Sequence, residues 1–245
     1  MPSFRFKPLP FIAMLLLVAV GVAAGRWQTG RAHEKEALSA KLAAGAAAAP
    51  LELGAAPARA EALEFRRLRL SGEWVASWPL YLDNRPYQGR AGFYLLMPFR
   101  LAGSDMHVLV ARGWLPRDVA DRSKLPQVHT PSGTVTIEGT ARLNAGHVMQ
   151  LGEVKLAPGA IVQNADAAAV AAASGLAFQP VMLEQTSQDL PAGAAPQGST
   201  ALVRDRSAPS LGIDKHRGYA FQWYALAAMA FLFYVFTGFK KRGQQ

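Results

Sequence analysis

A chain of 245 residues and 26.3 kDa with no cysteine has room for one folded domain plus flanking segments, and it excludes disulfides, thiolate metal sites and CxxC redox chemistry. Its 51% hydrophobic content against 18% charged residues is high for a purely soluble protein. The formal charge of +9 does not mark a nucleic-acid binder: five cations (Arg5, Lys7, Lys240, Lys241, Arg242) sit in two short tails, the remainder carries 21 Lys and Arg against 17 Asp and Glu, and no basic stripe with interleaved aromatics appears.

The basic tail 1–7 is followed by Pro8–Gly25, 18 residues without a charge. A second uncharged run, Gly218–Phe239, is 22 residues long and ends at the basic tail 240–245. A hydrocarbon core of ~30 Å takes ~20 helical residues, with ~17–25 tolerated. Both runs are therefore expected to cross a membrane, as helices over 8–25 and 214–239. Cationic tails stay on the cytoplasmic side, which puts both termini in the cytoplasm and the long middle segment outside. A basic stretch, an apolar run and Val22-Ala23-Ala24 also fit a cleaved signal peptide. The length of the run, and the helical sequence continuing through Trp27 and Gln28, favour a retained span.

Residues 26–64 read as a helical extension and an Ala/Pro linker. Good helix formers run to Ala44, Gly45 and Pro50 end the helix, and Ala43–Ala62 is low in complexity. The period then changes to two, and 65–213 reads as a β-rich domain. Strands are expected at Arg66–Val75, Leu80–Asp83, Gly92–Leu101, Met106–Trp114, Gly133–Arg142, Phe178–Leu183 and Thr200–Arg206. Asp83-Asn84-Arg85-Pro86 and Ala102-Gly103-Ser104-Asp105 are turn signals, and Ala165–Ser174 reads as a short helix closed by Gly175. The expected fold class is α+β: two terminal transmembrane helices flanking an extracytoplasmic, antiparallel, meander-like β domain.

The final helix begins near Asp214, with Tyr219, Trp223 and Tyr224 at its outer end, where amphipathic aromatics favour the membrane interface. At 100° per residue His216, Tyr219, Ala220, Trp223 and Ala227 share one face. An imidazole at a membrane boundary, with alanines below and aromatics beside it, suits a planar apolar macrocycle that needs an axial nitrogen, such as haem. The same His also reads as an interfacial residue that meets lipid headgroups or caps the domain. Met106-His107 and His147 with Met149 resemble soft ligand pairs for copper, although each fits ordinary strand alternation. His33 and His129 fall in an exposed helix and a loop. Gly25-Arg26-Trp27-Gln28 reads as an interfacial Trp ending a span, and Val108–Pro116, with Arg112 and Trp114, as a buried strand running into a turn. No nucleophile elbow, phosphate loop or HExxH motif is present, so no enzyme is expected.

Taken in order, these segments resemble the surfeit-locus family of cytochrome c oxidase assembly proteins. The resemblance is carried by Gly25-Arg26-Trp27-Gln28 with Arg31 and Lys35; by Phe65–Gly72; by Gly92 through Pro98-Phe99; by Val108–Pro116; and by His216, Tyr219-Ala220, Trp223 and Leu226-Ala227. The stretch from about Val119 to Asp205 matches more loosely. The resemblance implies a non-enzymatic assembly factor, acting in delivery of haem a to, or its insertion into, the catalytic subunit of a haem–copper oxidase. It implies transient haem a held by His216, with Tyr219, Ala220 and Trp223 on the haem-contacting face and Trp27, Gln28, Arg112 and Trp114 as packing residues. Its implied partners are the oxidase catalytic subunit, haem a synthase and membrane lipid, not nucleic acid. The alternatives are a scaffold that carries no haem and a copper-handling periplasmic protein. The family often has paired Asn before the His, where this chain has Asp214-Lys215, and Phe where it has Tyr224. The Ala-rich composition, with no Ser/Arg-rich leader before the first span, points to a bacterial inner-membrane protein.

Overall fold

The computed structural model describes residues 3–4, 6–121, 124–144, 146, 155–190, 200–205 and 211–240. Arg5, His147, Met149, Arg206, Lys241 and Arg242 lie outside the described residues. The chain divides into two compact units, Met1–Leu42 with Ala208–Gln245, and Ala43–Ser207.

In chain order the elements are β1 (Ser3–Phe4), α1 (Pro8–Ala47), β2 (Leu51–Glu52), α2 (Ala60–Leu63), β3 (Arg67–Trp74), β4 (Leu80–Leu82), β5 (Gly92–Leu101), β6 (Met106–Pro116), β7 (Val135–Arg142), β8 (Ile161–Val162), α3 (Ala167–Ser174), β9 (Ala177–Gln185), α4 (Ile213–Gly238) and β10 (Phe239–Lys240). α1 and α4 are both long and apolar enough to cross a membrane, and only 17% of each apolar window is buried, so these are not core helices of a globular domain.

In the first unit α1 and α4 pair antiparallel, since partners fall along α4 as α1 ascends: Phe11 meets Tyr234, Gly21 meets Ala227, and Gln28 meets His216. At Gly21 and Ala227 the seam is made of small residues, which let the helices approach; Tyr224 lies on Gly25 and Phe11 meets Tyr234. A methyl group on Gly21 would lie 2.9 Å from the Ala227 Cβ and 3.0 Å from the Trp223 carbonyl oxygen. Ala32, Ala220 and Ala227 are buried on the same seam. At one end β1 and β10 add a short antiparallel pairing, with the Phe4 ring edge-on to Tyr234.

The second unit is a closed barrel. β3 pairs with β7, β7 with β9, β9 with β6, β6 with β5, and β5 returns to β3 through Gly72↔Leu101 and Trp74↔Phe99. β2, β4 and β8 extend the sheet outside this ring. Strict alternation in β3 and β7 turns Leu68, Leu70, Ile137 and Ala141 inward. They fill the interior with Phe93, Phe99, Val108, Val110, Val181 and Leu183. β6 is buried on both faces, because a second core of Leu109, Ala111, Met182 and Val170 lies outside the ring under α3. β6 carries a bulge at Arg112, which is left between the pairs Leu95↔Gly113 and Leu96↔Ala111; Gly113 has φ 153°.

The antiparallel meander expected from sequence is corrected here. β6 and β9 run parallel, as do β2 with β3 and β4 with β8, so the sheet is mixed. Parallel neighbours need a long crossover, and the stretch from Arg117 to Leu176, with β7, β8 and α3 in it, supplies one. The strand expected at Thr200–Arg206 is reduced to one bridge, Val203↔Trp114, because both edges of β6 up to Ala111 are already taken by β5 and β9. The expected short helix is present as α3 and ends at Gly175, φ 73°, as expected, but starts two residues later than Ala165 because Asp166 is its N-cap and accepts from Ala169 N–H at 2.8 Å. The expected linker is docked on the barrel. The buried Gln179 carboxamide donates to the Gly54 and Ala56 carbonyls and accepts from Ala58 N–H.

Candidate functional site

α4 starts because Gly212, at φ 63°, turns the chain into the helix and Asp214 sits in its first turn, where the helix dipole favours an anion. That start places His216 against α1. Its Nδ1 lies 2.7 Å from Gln28 Oε1. An amide oxygen can only accept, so Nδ1 is the donor in this contact, and in a neutral ring Nε2 then keeps the lone pair. Among the described residues no other partner is recorded for the ring. The surrounding contacts fasten this end of the helix pair: Lys35 Nζ donates to the Leu211 carbonyl at 2.7 Å, and Arg217 pairs with Glu36 at 2.8 Å.

The expected haem-facing set is divided by the helix pairing. Tyr219 is 52% exposed and Trp223 is half-buried, one and two turns along α4 from His216. Ala220 is 6% exposed: its small side chain is where α4 approaches α1, so it belongs to the seam and not to an open face. Two turns below His216, Trp223 borders an apolar groove of about 570 Å³ that also runs along Leu17, Val20, Leu226, Met229 and Phe233. Trp27, expected to pack, is 61% exposed, and its neighbour Gln28 makes the contact across the seam. Gln28, expected among the packing residues, lies on the seam one turn from Gly25.

The donor set fits a porphyrin held by one axial nitrogen. There is one imidazole with a hydrogen-bond partner on Nδ1, Tyr219 one turn further along α4, and an apolar groove beginning at Trp223 a turn beyond that. Among the described residues no three His, Asp or Glu side chains gather to hold a metal ion. His107 is a strand residue: it is 5% exposed, its Nδ1 donates to the Ala177 carbonyl at 3.1 Å, and its ring lies against Phe178.

Arg112 and Trp114 are core residues of the barrel unit. Arg112 is 1% exposed and stacks on the Trp74 ring at 4.3 Å. It donates to Thr130 Oγ1 at 2.7 Å, to the His129 carbonyl at 3.2 Å and to Asp189 at 3.2 Å. Burial pushes its guanidinium down to about 10, opposed by the Asp189 carboxylate. Trp114 Nε1 donates to the Arg85 carbonyl at 2.7 Å and its ring meets Tyr87, which anchors the loop where Asn84 and Gln88 sit at positive φ.

Two apolar helices paired through glycine and alanine, a polar His–Gln contact at one end of their seam, and a separate closed β-barrel unit define a class: a two-helix protein carrying one β domain. The chain belongs to the SURF1 family, whose model matches residues 15–228. A SURF1-like protein of Monosiga brevicollis is 27% identical over 241 residues, covering 91% of this chain and 85% of that one. A SURF1-like protein of Drosophila melanogaster is 27% identical over 253 residues, covering 94% and 78%. Surfeit locus protein 1 of Rattus norvegicus is 28% identical over 144 residues, covering 53% and 47%.

Proposed function

We propose that this chain is a non-enzymatic assembly factor for haem–copper cytochrome c oxidase, holding haem a transiently and passing it to the catalytic subunit. One observation carries the reading: at the polar end of an otherwise apolar helix seam, His216 has Nδ1 engaged by Gln28 and Nε2 free. A single neutral imidazole is a ligand that can be exchanged, as cargo to be handed on requires. Tyr219 and Trp223 follow one and two turns along α4, and the groove bordered by Trp223 offers the porphyrin's hydrocarbon substituents an apolar surface. In this reading α1 and α4 cross the bacterial inner membrane, both termini are cytoplasmic, and the barrel unit is periplasmic. Membrane lipid surrounds the helices, and haem a synthase is the source of the cargo.

The test is to purify the protein from cells that make haem a and compare its absorption spectrum with that of His216→Ala. Haem in the first and its loss from the second is the expected result. Equal haem content in both would sink the ligand assignment, and absence of haem from both would favour a scaffold that stabilises an oxidase intermediate.

A further inference from the structure

We infer that Gln28 is a positioning residue for His216: its side-chain oxygen fixes the imidazole as the Nδ1–H tautomer and holds Nε2 outward as the ligating atom. The inference rests on the haem reading for what Nε2 binds, but not for the tautomer itself. The two residues are 188 positions apart in sequence and 2.7 Å apart in space. The contact exists because Gly25, one turn below, makes room for the Tyr224 ring and Gly21, two turns below, lets the α4 backbone approach at Trp223 and Ala227. Around the pair, Ala32 and Ala220 are buried without polar side-chain atoms and the Thr29 hydroxyl is turned to the Gly25 carbonyl at 2.9 Å. An isolated neutral imidazole exchanges its proton between both nitrogens. A fixed acceptor on Nδ1 removes that freedom and aims the ring, as the hydrogen-bond partners of ligating histidines do.

The identity of the acceptor carries a second consequence. A carboxylate in this position would make a charge-assisted bond, shift the imidazole toward imidazolate and strengthen its hold on iron. A carboxamide is neutral and polarises the ring less. Gln28 therefore orients the ligand without tightening it, which suits a protein that must release what it holds.

The experiment uses the full chain in lipid nanodiscs with 15N-labelled histidine. Long-range 1H–15N correlation spectra, with His216 assigned by comparison with His216→Ala, report the tautomer before any ligand is added. Wild type is expected to show Nδ1–H and Gln28→Leu a shift toward Nε2–H. Ferric protoporphyrin is then titrated in and followed by its Soret band. Gln28→Leu is expected to bind about 10- to 100-fold more weakly. Gln28→Glu should bind at least as tightly as wild type and release its porphyrin to excess apomyoglobin more slowly. Cross-linking of Gly21→Cys with Ala227→Cys in the Gln28→Leu background checks that the helices still pair.

An Nε2–H tautomer in wild type would overturn the inference. So would Gln28→Leu with paired helices, unchanged tautomer and unchanged affinity, while His216→Ala abolishes binding. Binding unaffected by His216→Ala refutes the haem reading alone; a tautomer that still depends on Gln28 then upholds the positioning role.

Discussion

Replacing Arg112 with Met keeps the volume of a long side chain and deletes the charge. It leaves the Asp189 carboxylate, 11% exposed, with a hydrogen bond from the Gln185 amide at 2.8 Å and the longer-range attraction of Arg204. Breaking a buried ion pair from one side costs ~3–5 kcal/mol, because the surviving charge loses its hydrogen-bonded counterpart; Arg204 attracts Asp189 without bonding to it. Loss of the stacking on Trp74 overlaps with this figure, since the same group makes both contacts, so we take about 4 kcal/mol, against the ~5–15 kcal/mol that domains of this kind possess. Hydrogen exchange with mass spectrometry on the full chain reads the effect from peptides of β5 and β6, whose slowest amides exchange only when the barrel opens. A loss of about 4 kcal/mol accelerates them by roughly 10³-fold. Adding Asp189→Asn removes the stranded charge and keeps the bond from Gln185, so the double variant is expected to recover most of the loss. Acceleration under about fivefold in Arg112→Met, or a double variant worse than the single, would refute the argument.

In the helix pair, Gly21→Cys with Ala227→Cys places thiols on Cβ positions 2.9 Å apart before relaxation, and the chain has no other cysteine. Oxidation should give an intramolecular cross-link visible as faster migration on a non-reducing gel; no cross-link would contradict the seam. Gly72→Ala drives a methyl group into the Arg100 carbonyl oxygen where β3 closes on β5, and should lower thermal stability by ~1–3 kcal/mol, measured by scanning calorimetry. The Arg69 guanidinium, with Arg67, holds the Glu138 carboxyl below its ordinary value. Its contribution is therefore complete above the unfolded-state value and is lost as pH falls through the lowered one. Denaturant midpoints should drop over that acid range in wild type and be flatter in Glu138→Gln.

Periodicity was most informative where one face of an element is dry. β3 and β7 alternate cleanly because their outer faces carry Arg67, Arg69, Glu138 and Arg142 while their inner faces fill the barrel. β5 and β6 are buried on nearly every residue, and their sequences show β-formers without a period. Strand partners were not legible at all, since β9 looks the same from sequence whether it lies antiparallel or parallel to β6. In the helix pair His216 was visible as a lone imidazole on an apolar face. Its partner was not, because α1 is apolar nearly all round near its start and gives no directional stripe, so the face holding Gln28 emerged only with the burial of Gly21, Gly25 and Ala32. Ala220 was misplaced for the same reason: a wheel groups residues by angle and cannot say which part of that face a neighbouring helix will cover.

The insertion of β9 between β6 and β7 sets an order in time. A chain emerging from the ribosome completes the β5–β6 hairpin early, but the strand that joins β6 to β7 ends only at Gln185. At a synthesis rate of ~5–20 residues per second, the stretch from Pro116 to Gln185 takes about 3–14 s, during which β6 shows an unpaired apolar edge. Until the late strand arrives, every nascent copy carries an adhesive border. Pro180 falls within the register shift of β9, where a missing N–H interrupts the ladder, so even that strand joins its neighbour in two stretches.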